Sequence, residues 1–173
     1  NQGVVHDITQ IRQAIQKIMN SSTHDPLTGI YNRTFFEEEM KRLERGRQYP
    51  ISILVVEVEG LEKFRETDRQ GDEEKMLLRI ARQLFYAFRG DDIIARIGED
   101  QFGVLFPNLD EPIIEKIIRR MQIDLLALNA DESGPELAFY IGASTARDGE
   151  SLEPVLKKAL AVVTLKKKSN LSS

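Results

Sequence analysis

The run from Ile51 to Val58 constrains this chain most. It is rich in β-branched residues, whose side chains pack well on a pleated surface, and it reads as a strand. Glu57 and Glu59 interrupt its apolar run at the carboxyl end, and acidic side chains emerging at a strand's end are a common place to hold a cation. The chain supplies this strand with partners. Asp92 to Ile97 and Phe102 to Phe106 are short strand-like runs joined by Gly98-Glu99-Asp100-Gln101, a hairpin with carboxylates at its tip, and Leu137 to Ser144 reads as a further strand.

Helical patterns separate the strands. From Arg33 to about Gly46, Phe35, Phe36, Met40 and Leu43 sit at helical spacing with charges between them. Leu77, Leu78, Ala81, Leu84, Phe85 and Phe88 trace an amphipathic helix ending near Gly90, whose flexible backbone suits a helix stop. Ile113, Ile114, Ile117, Ile118, Met121 and Leu125 repeat the pattern over Pro112 to Leu128, and Leu152 to Lys168 is a final helix with a basic end. A helix-separated strand, then a hairpin, then helix and strand predicts an α/β (α+β) fold: a mixed sheet in the βαββαβ manner with helices on one or both faces.

Ahead of this domain, Ile8, Ile11, Ile15 and Ile18 recur at the a/d spacing of a short two-heptad seam. Such a helix is marginal alone in water, so it either pairs with a copy of itself or packs on its own domain. Ser21-Ser22-Thr23-His24-Asp25-Pro26 breaks the pattern, and Pro26 disfavours helix at Asp25. The expected division is a linker helix over 1–24 and a folded domain over 25–173. At 173 residues the chain is long enough to bury one sizeable core.

Composition removes several classes. Without cysteine there is no disulfide framework, thiolate nucleophile or cysteine zinc site, and two histidines, His6 and His24, leave little for a histidine metal cluster. A net charge of −4 argues against a general nucleic-acid binder while leaving room for a local basic pocket. The longest aliphatic stretch, Ile53 to Val56, is far too short to span a bilayer, and Asn1 opens no signal sequence. A soluble cytoplasmic module with no direct membrane insertion is expected, cut from a longer chain because it begins without Met.

Asp25-Pro-Leu-Thr-Gly-Ile-Tyr-Asn-Arg33 resembles the DxLTGLxNR entry motif of GGDEF domains, bacterial modules that act as diguanylate cyclases or as degenerate nucleotide sensors. Further landmarks follow in that family's order: Glu57-Val58-Glu59, Arg96-Ile97-Gly98-Glu99-Asp100-Gln101-Phe102, and Tyr140-Ile141-Gly142-Ala143-Ser144. The resemblance runs from Asp25 to the last helix. It implies a nucleotide-cyclase-like sheet, and it makes the leading helix similar to the signalling helix that links upstream sensor domains to such modules.

The family's reaction joins two GTP molecules head to tail, each domain supplying half the site. A pair of carboxylates holds Mg2+ or Mn2+ against the triphosphate, because a metal must neutralise charge as the 3′-oxygen attacks the α-phosphorus. Two glycines let the hairpin backbone approach, and an Asn and an Asp read guanine. The resemblance places the metal position at Glu57, Val58 and Asp100, with Glu57 in place of the usual Asp. It also exposes departures. In Gly98-Glu99-Asp100-Gln101-Phe102, Glu99 stands where the second glycine admits phosphate, and Gln101 has lost a charge, leaving Asp100 as a vestige of the catalytic group. Arg65 falls where the guanine-reading Asn lies and Glu74 where the Asp lies; with Gly98 these are nucleotide positions in vestigial form. The last helix lacks the Ala-Asp and Tyr-x-Ala-Lys pattern, and Lys166, Lys167 and Lys168 read as a solvated basic helix end in preference to a phosphate contact.

A second family site is better kept. Arg89-Gly90-Asp91-Asp92 is an RxxD motif placed before the hairpin where the family's inhibitory site binds its product, cyclic di-GMP. An arginine fork can take phosphate or a guanine edge, and Asp92 can accept from guanine nitrogens. Arg120 falls where such sites carry a second arginine, with Arg119 one residue away. The resemblance therefore implies a degenerate domain that binds cyclic di-GMP at Arg89, Asp92 and Arg120, requires no cofactor and forms a weak homodimer through its leading helix. The alternatives are a cyclase that tolerates the substitutions, using GTP and Mg2+ or Mn2+, and a nucleotide-free dimerisation scaffold.

Overall fold

Alternation along one strand organises the molecule. The computed structural model describes residues 8–15, 22–66, 71–88, 90–130 and 134–171. In the strand Ile51–Glu59, here β2, Ile51, Ile53 and Val55 face one hydrophobic layer while Leu54, Val56 and Val58 face another. A strand with both faces apolar needs a helix layer on each side.

Residues 8–15 form helix α1. Strand β1 (Tyr31–Asn32) leads into α2 (Arg33–Gly46), followed by β2, the short α3 (Glu62–Arg65) and α4 (Asp72–Ala87). Then come the hairpin β3 (Ile93–Arg96) and β4 (Gln101–Phe106), α5 (Glu111–Leu126), a 3-10 turn (Ala127–Ala130), β5 (Ala138–Ala146) and α6 (Leu152–Leu171). The five-stranded sheet runs β1-β3-β4-β2-β5, with β1 parallel to β3 and the other pairs antiparallel. This is the expected βαββαβ arrangement with one small parallel edge strand added.

On one face Phe36, Met40 and Leu43 of α2 and Leu152, Val155, Ala159 and Val163 of α6 cover the sheet. On the other, Leu77, Ile80 and Leu84 of α4 and Ile114, Met121 and Leu125 of α5 pack on Val56, Phe102 and Val104. Local chemistry sets the helix ends. Asn32 Oδ1 accepts the Phe35 N–H at 2.9 Å to start α2, and Glu44 Oε1 accepts the Leu152 N–H at 2.6 Å where α6 begins. Gly142 lets α6 lie directly against β5, because a Cβ there would run into the carbonyl oxygen of Ala159.

Three boundaries differ from the sequence reading. Strand β1 lies within the entry motif and helix α3 between β2 and α4, and both are too short to show a period in the sequence. Helix α4 stops at Ala87, and Phe88 is already extended at φ −121 and ψ 163, so the stop is not made at Gly90 and the RxxD segment follows the helix instead of ending it. In α1, Ile8, Ile11 and Ile15 are 45%, 58% and 51% exposed; Ile18 lies outside the described residues. Among the described residues, no helix is long and apolar enough to cross a membrane.

Candidate functional site

The carboxyl end of β2 gathers most of the residues singled out in the sequence. Glu57 lies in register with Gln101 on β4 and Tyr140 on β5, and it continues the Ile53 and Val55 side of the strand, toward α6. Its Oε1 accepts from Gln101 Nε2 at 2.8 Å and its Oε2 pairs with Lys167 Nζ at 2.8 Å. Burial pushes the Glu57 carboxyl up, but the hydrogen bonds from Lys167 and Gln101 and the charge of Lys167 outweigh this and hold it below the ordinary carboxylate range. The hydrogen bond to Glu57 likewise raises the Lys167 ammonium against the effect of its own burial. The basic end of α6 is thus not simply solvated. Lys166 donates to the Ile141 carbonyl, and Asn170 Nδ2 donates to the Tyr140 hydroxyl at 2.7 Å.

The hairpin tip packs against this end. The N–H groups of Ile97 and Gly98 donate to the Gln101 carbonyl at 2.9 and 3.3 Å, and the Val58 N–H donates to the Asp100 carbonyl at 2.9 Å. A Cβ on Gly98 would stand 3.0 Å from Gln101 Oε1, so the glycine admits the Gln101 side chain. Asp100 Oδ1 is buried without a hydrogen bond, the one such side-chain atom among the described residues. Burial, then the charge of Glu99, raises the Asp100 carboxyl, and Arg65 opposes the rise.

Glu99 turns the other way. Arg65 on α3 forks onto Glu73 of α4, Nε to Oε2 at 2.5 Å and Nη2 to Oε1 at 2.6 Å, while the same Nη2 reaches Glu99 Oε1 at 3.0 Å. The carboxylate beside Arg65 is Glu73; Glu74, which spacing from Glu57 had selected, is exposed one position on. Counting residues across the α3–α4 connection cannot fix helical register to one position, so no sequence signal distinguished the two. Glu73 and Lys167 are the residues that sequence reasoning missed as contacts.

As they stand, these side chains do not fit a divalent cation. Both Glu57 oxygens have donors, and no three His, Cys, Asp or Glu residues among those described come together to hold a metal. Among the described residues, the orphaned Asp100 oxygen is the buried atom there that a cation would satisfy.

The entry motif is a structural tie. Asp25 Oδ2 accepts the Thr28 N–H at 2.9 Å and its hydroxyl at 2.7 Å, closing a turn, and Arg96 Nη1 pairs with it at 3.4 Å. Arg96 Nη2 also donates to the Glu99 carbonyl at 2.8 Å, and Arg33 Nη1 to the Ile97 carbonyl at 3.2 Å. These contacts hold the start of the domain to the hairpin.

A separate cavity of about 540 Å³ lies between the end of α4 and the outer side of α5. Asp92 and Arg120 both line it, with Phe88, Ile113, Ile117 and Met121 as apolar wall and Tyr86 at its edge. Arg120, not Arg119, is the arginine of this cavity, and its Nε stands 3.8 Å from Asp124 Oδ2. Arg89 lies outside the described residues. The structure therefore brings two of the three RxxD-site candidates together, well apart in composition from the charged cluster at the hairpin.

Comparison with known proteins agrees with the geometry. The sequence profile of the family described as "Diguanylate cyclase, GGDEF domain" matches residues 22–171. A probable diguanylate cyclase of Escherichia coli, DgcT, is 25% identical over 130 residues, which is 75% of this chain and 28% of that protein. The chain spans between 10% and 38% of the length of other curated relatives. Among solved structures, the coiled coil and GGDEF domain of Caulobacter crescentus DgcB, in complex with c-di-GMP, superposes with a TM-score of 0.83 at 17% identity, covering 97% of this chain and 92% of that one. The S helix-GGDEF-EAL portion of Vibrio cholerae LapD, bound to c-di-GMP, gives 0.80 at 17% identity over 96% of this chain and 39% of that one. At these identities the likeness is one of fold.

Proposed function

The chain belongs to the GGDEF family, and from that premise we propose that it is a degenerate member that binds cyclic di-GMP in the Asp92–Arg120 cavity and does not synthesise it. The observation that carries this reading is the convergence of Asp92 and Arg120 on one cavity large enough for a nucleotide portion, with an apolar wall beside them. In such a site the Arg120 fork takes a phosphate or a guanine edge, Asp92 accepts guanine N–H groups, and Arg89 supplies a further cation. DgcB and LapD were both solved with c-di-GMP, which makes that ligand the natural one to test.

Side chains at the other site argue against cyclisation. A triphosphate entering past Gly98 would meet the Glu99 carboxylate, which is paired with Arg65, itself forked onto Glu73. Arg65 offers only donors where the family reads guanine with an amide, and Glu57 is committed to Lys167 and Gln101. The exposed Ile8, Ile11 and Ile15 support a leading helix that passes signal from an upstream sensor domain through a weak homodimer.

Isothermal titration of the chain with cyclic di-GMP decides the reading. Saturable binding that Asp92→Ala weakens about tenfold or more is expected. No binding at high micromolar ligand overturns it in favour of a scaffold, and cyclic di-GMP formed from GTP with Mg2+ or Mn2+ overturns it in favour of an enzyme.

A further inference from the structure

We infer that Phe85 and Tyr86 are base-stacking residues: Tyr86 seats one purine base of the cyclic dinucleotide in the Asp92–Arg120 cavity, and Phe85 seats the other in a smaller cavity that shares Asp92. The inference rests on the reading that the larger cavity binds cyclic di-GMP, and it adds two residues that the RxxD motif does not contain. It begins with the face of α4 on which the rings stand. Leu77, Ile80, Ala81 and Leu84 form the buried stripe of that helix. Phe85 and Tyr86 fall off the stripe, at 59% and 81% exposure, on the side where an amphipathic helix ordinarily carries charge. One exposed ring is ordinary on a protein surface; two in succession, each lining a cavity, are not.

Helix geometry parts the two rings. Neighbours in an α-helix project about 100° apart, so Tyr86 turns to the cavity between α4 and α5 while Phe85 turns toward β1 and β3. There a cavity of about 120 Å³ is lined by Phe85, Asp92, Ile94 and the ring pair His24 and Tyr31, whose centroids lie 4.8 Å apart. Phe85 and Tyr86 meet edge to face, 5.6 Å between centroids and 85° between planes, so each ring holds the other's orientation. Whole-ligand pockets begin at about 300 Å³, so the smaller cavity has room for a planar ring and not for a nucleotide. The arrangement matches a ligand with two flat bases on one charged ring. Every base has a π-face that stacks on an aromatic side chain, whichever hydrogen bonds its edge makes. Asp92, which lines both cavities, accepts guanine N–H groups, and Arg120 takes phosphate.

The test is calorimetric titration of the full chain with cyclic di-GMP, joined to tryptophan fluorescence. Tyr86→Leu and Phe85→Leu keep apolar bulk and remove the π-face, and each is expected to weaken binding about 5- to 150-fold. Tyr86→Phe keeps the ring and should bind within about threefold of wild type. The sequence contains no tryptophan, so Tyr86→Trp and Phe85→Trp, made separately, each carry a single reporter. Guanine stacked on that indole should quench its emission saturably, at the affinity that calorimetry gives. Circular dichroism identifies which variants fold, and where a leucine variant does not, the tryptophan at that position decides. A folded leucine variant that binds within about threefold of wild type overturns the inference. So does a tryptophan variant that binds with unchanged emission. Leucine variants that lose self-association in sedimentation while binding persists assign the rings to a protein interface and overturn it too. If wild type binds no cyclic di-GMP, the reading of the cavity falls and this inference with it. If wild type binds, Arg120→Ala weakens binding and the leucine variants do not, this inference alone falls.

Discussion

Arg120→Ala separates recognition from folding, because the structure places this side chain where the fold has little use for it. It is 87% exposed, and its polar neighbour is Asp124 one helical turn on, at 3.8 Å. An exposed i,i+4 pair of this kind contributes about 0.3–0.5 kcal/mol. In a domain of this size about 1 kcal/mol moves the melting temperature by roughly 2–4 °C, so the variant should melt within about 2 °C of wild type. Ligand affinity should respond on another scale. A hydrogen bond from an arginine to a phosphate or guanine edge is worth about 1.5–3 kcal/mol, which corresponds to about 10- to 150-fold in Kd for cyclic di-GMP. Calorimetric titration measures the second quantity and scanning calorimetry the first. Asp124→Asn is the internal control: it releases Arg120 without removing it, so affinity should hold or improve by about twofold. Arg120→Ala binding within about threefold of wild type would refute the assignment of this side chain to the ligand. A large fall in melting temperature would refute the premise that it is structurally idle.

Asp100→Asn should raise the melting temperature at pH 7. Burial and the Glu99 charge raise the native carboxyl, so the native state is favoured below the unfolded carboxyl's pKa of about 4 and loses that advantage as pH rises through the raised native value; the variant's gain should therefore vanish near pH 3, and equal stability at pH 7 would contradict it. Gly142→Ala drives a methyl into the Ala159 carbonyl oxygen where α6 meets β5, and chemical denaturation should show a loss of about 1–3 kcal/mol; a neutral result would mean that the helix lifts freely. Ile11→Asp with Ile15→Asp should leave thermal unfolding of the domain unchanged and abolish concentration-dependent self-association in sedimentation, since both side chains are exposed in the single chain.

Legibility in the sequence followed the range over which a signal repeats. The β-branched run of β2 and the apolar stripes of α2, α4, α5 and α6 announce themselves over many residues, and their order predicts the mixed sheet. Tyr31–Asn32 as an edge strand and Glu62–Arg65 as a helix offer no period to read, and both depend on tertiary contact. The same limit applied to the site. Gln101 is placed by a hairpin whose length is fixed, so it stands in register with Glu57, and the Asp100 carbonyl takes the Val58 N–H. Glu74 was chosen by counting across a helix-to-helix connection, where one residue of slip turns a side chain by about 100°, and the contact fell to Glu73. The contacts of Lys166 and Lys167 are hidden for a different reason: in a run of three lysines, only the packing of α6 on the sheet says that one reaches the Ile141 carbonyl and another Glu57.

That hidden register changes how the departures from the family pattern should be weighed. Taken one at a time on the proposed reading, Glu99 in place of glycine adds an anion to a phosphate site, Arg65 in place of an amide alters a guanine contact, and Gln101 removes a charge beside the metal position. Geometry couples them. Glu99 lies 3.0 Å from Arg65, and Gln101 and Lys167 divide the two oxygens of Glu57 between them. Each added or lost charge has its counterpart within hydrogen-bonding distance, except at Asp100, whose buried oxygen is left alone. Among the described residues Asp100 Oδ1 is the one buried side-chain atom left without a partner, so Asp100, the carboxylate kept from the signature, is the position where a substitution reports most directly on how the hairpin tip is balanced.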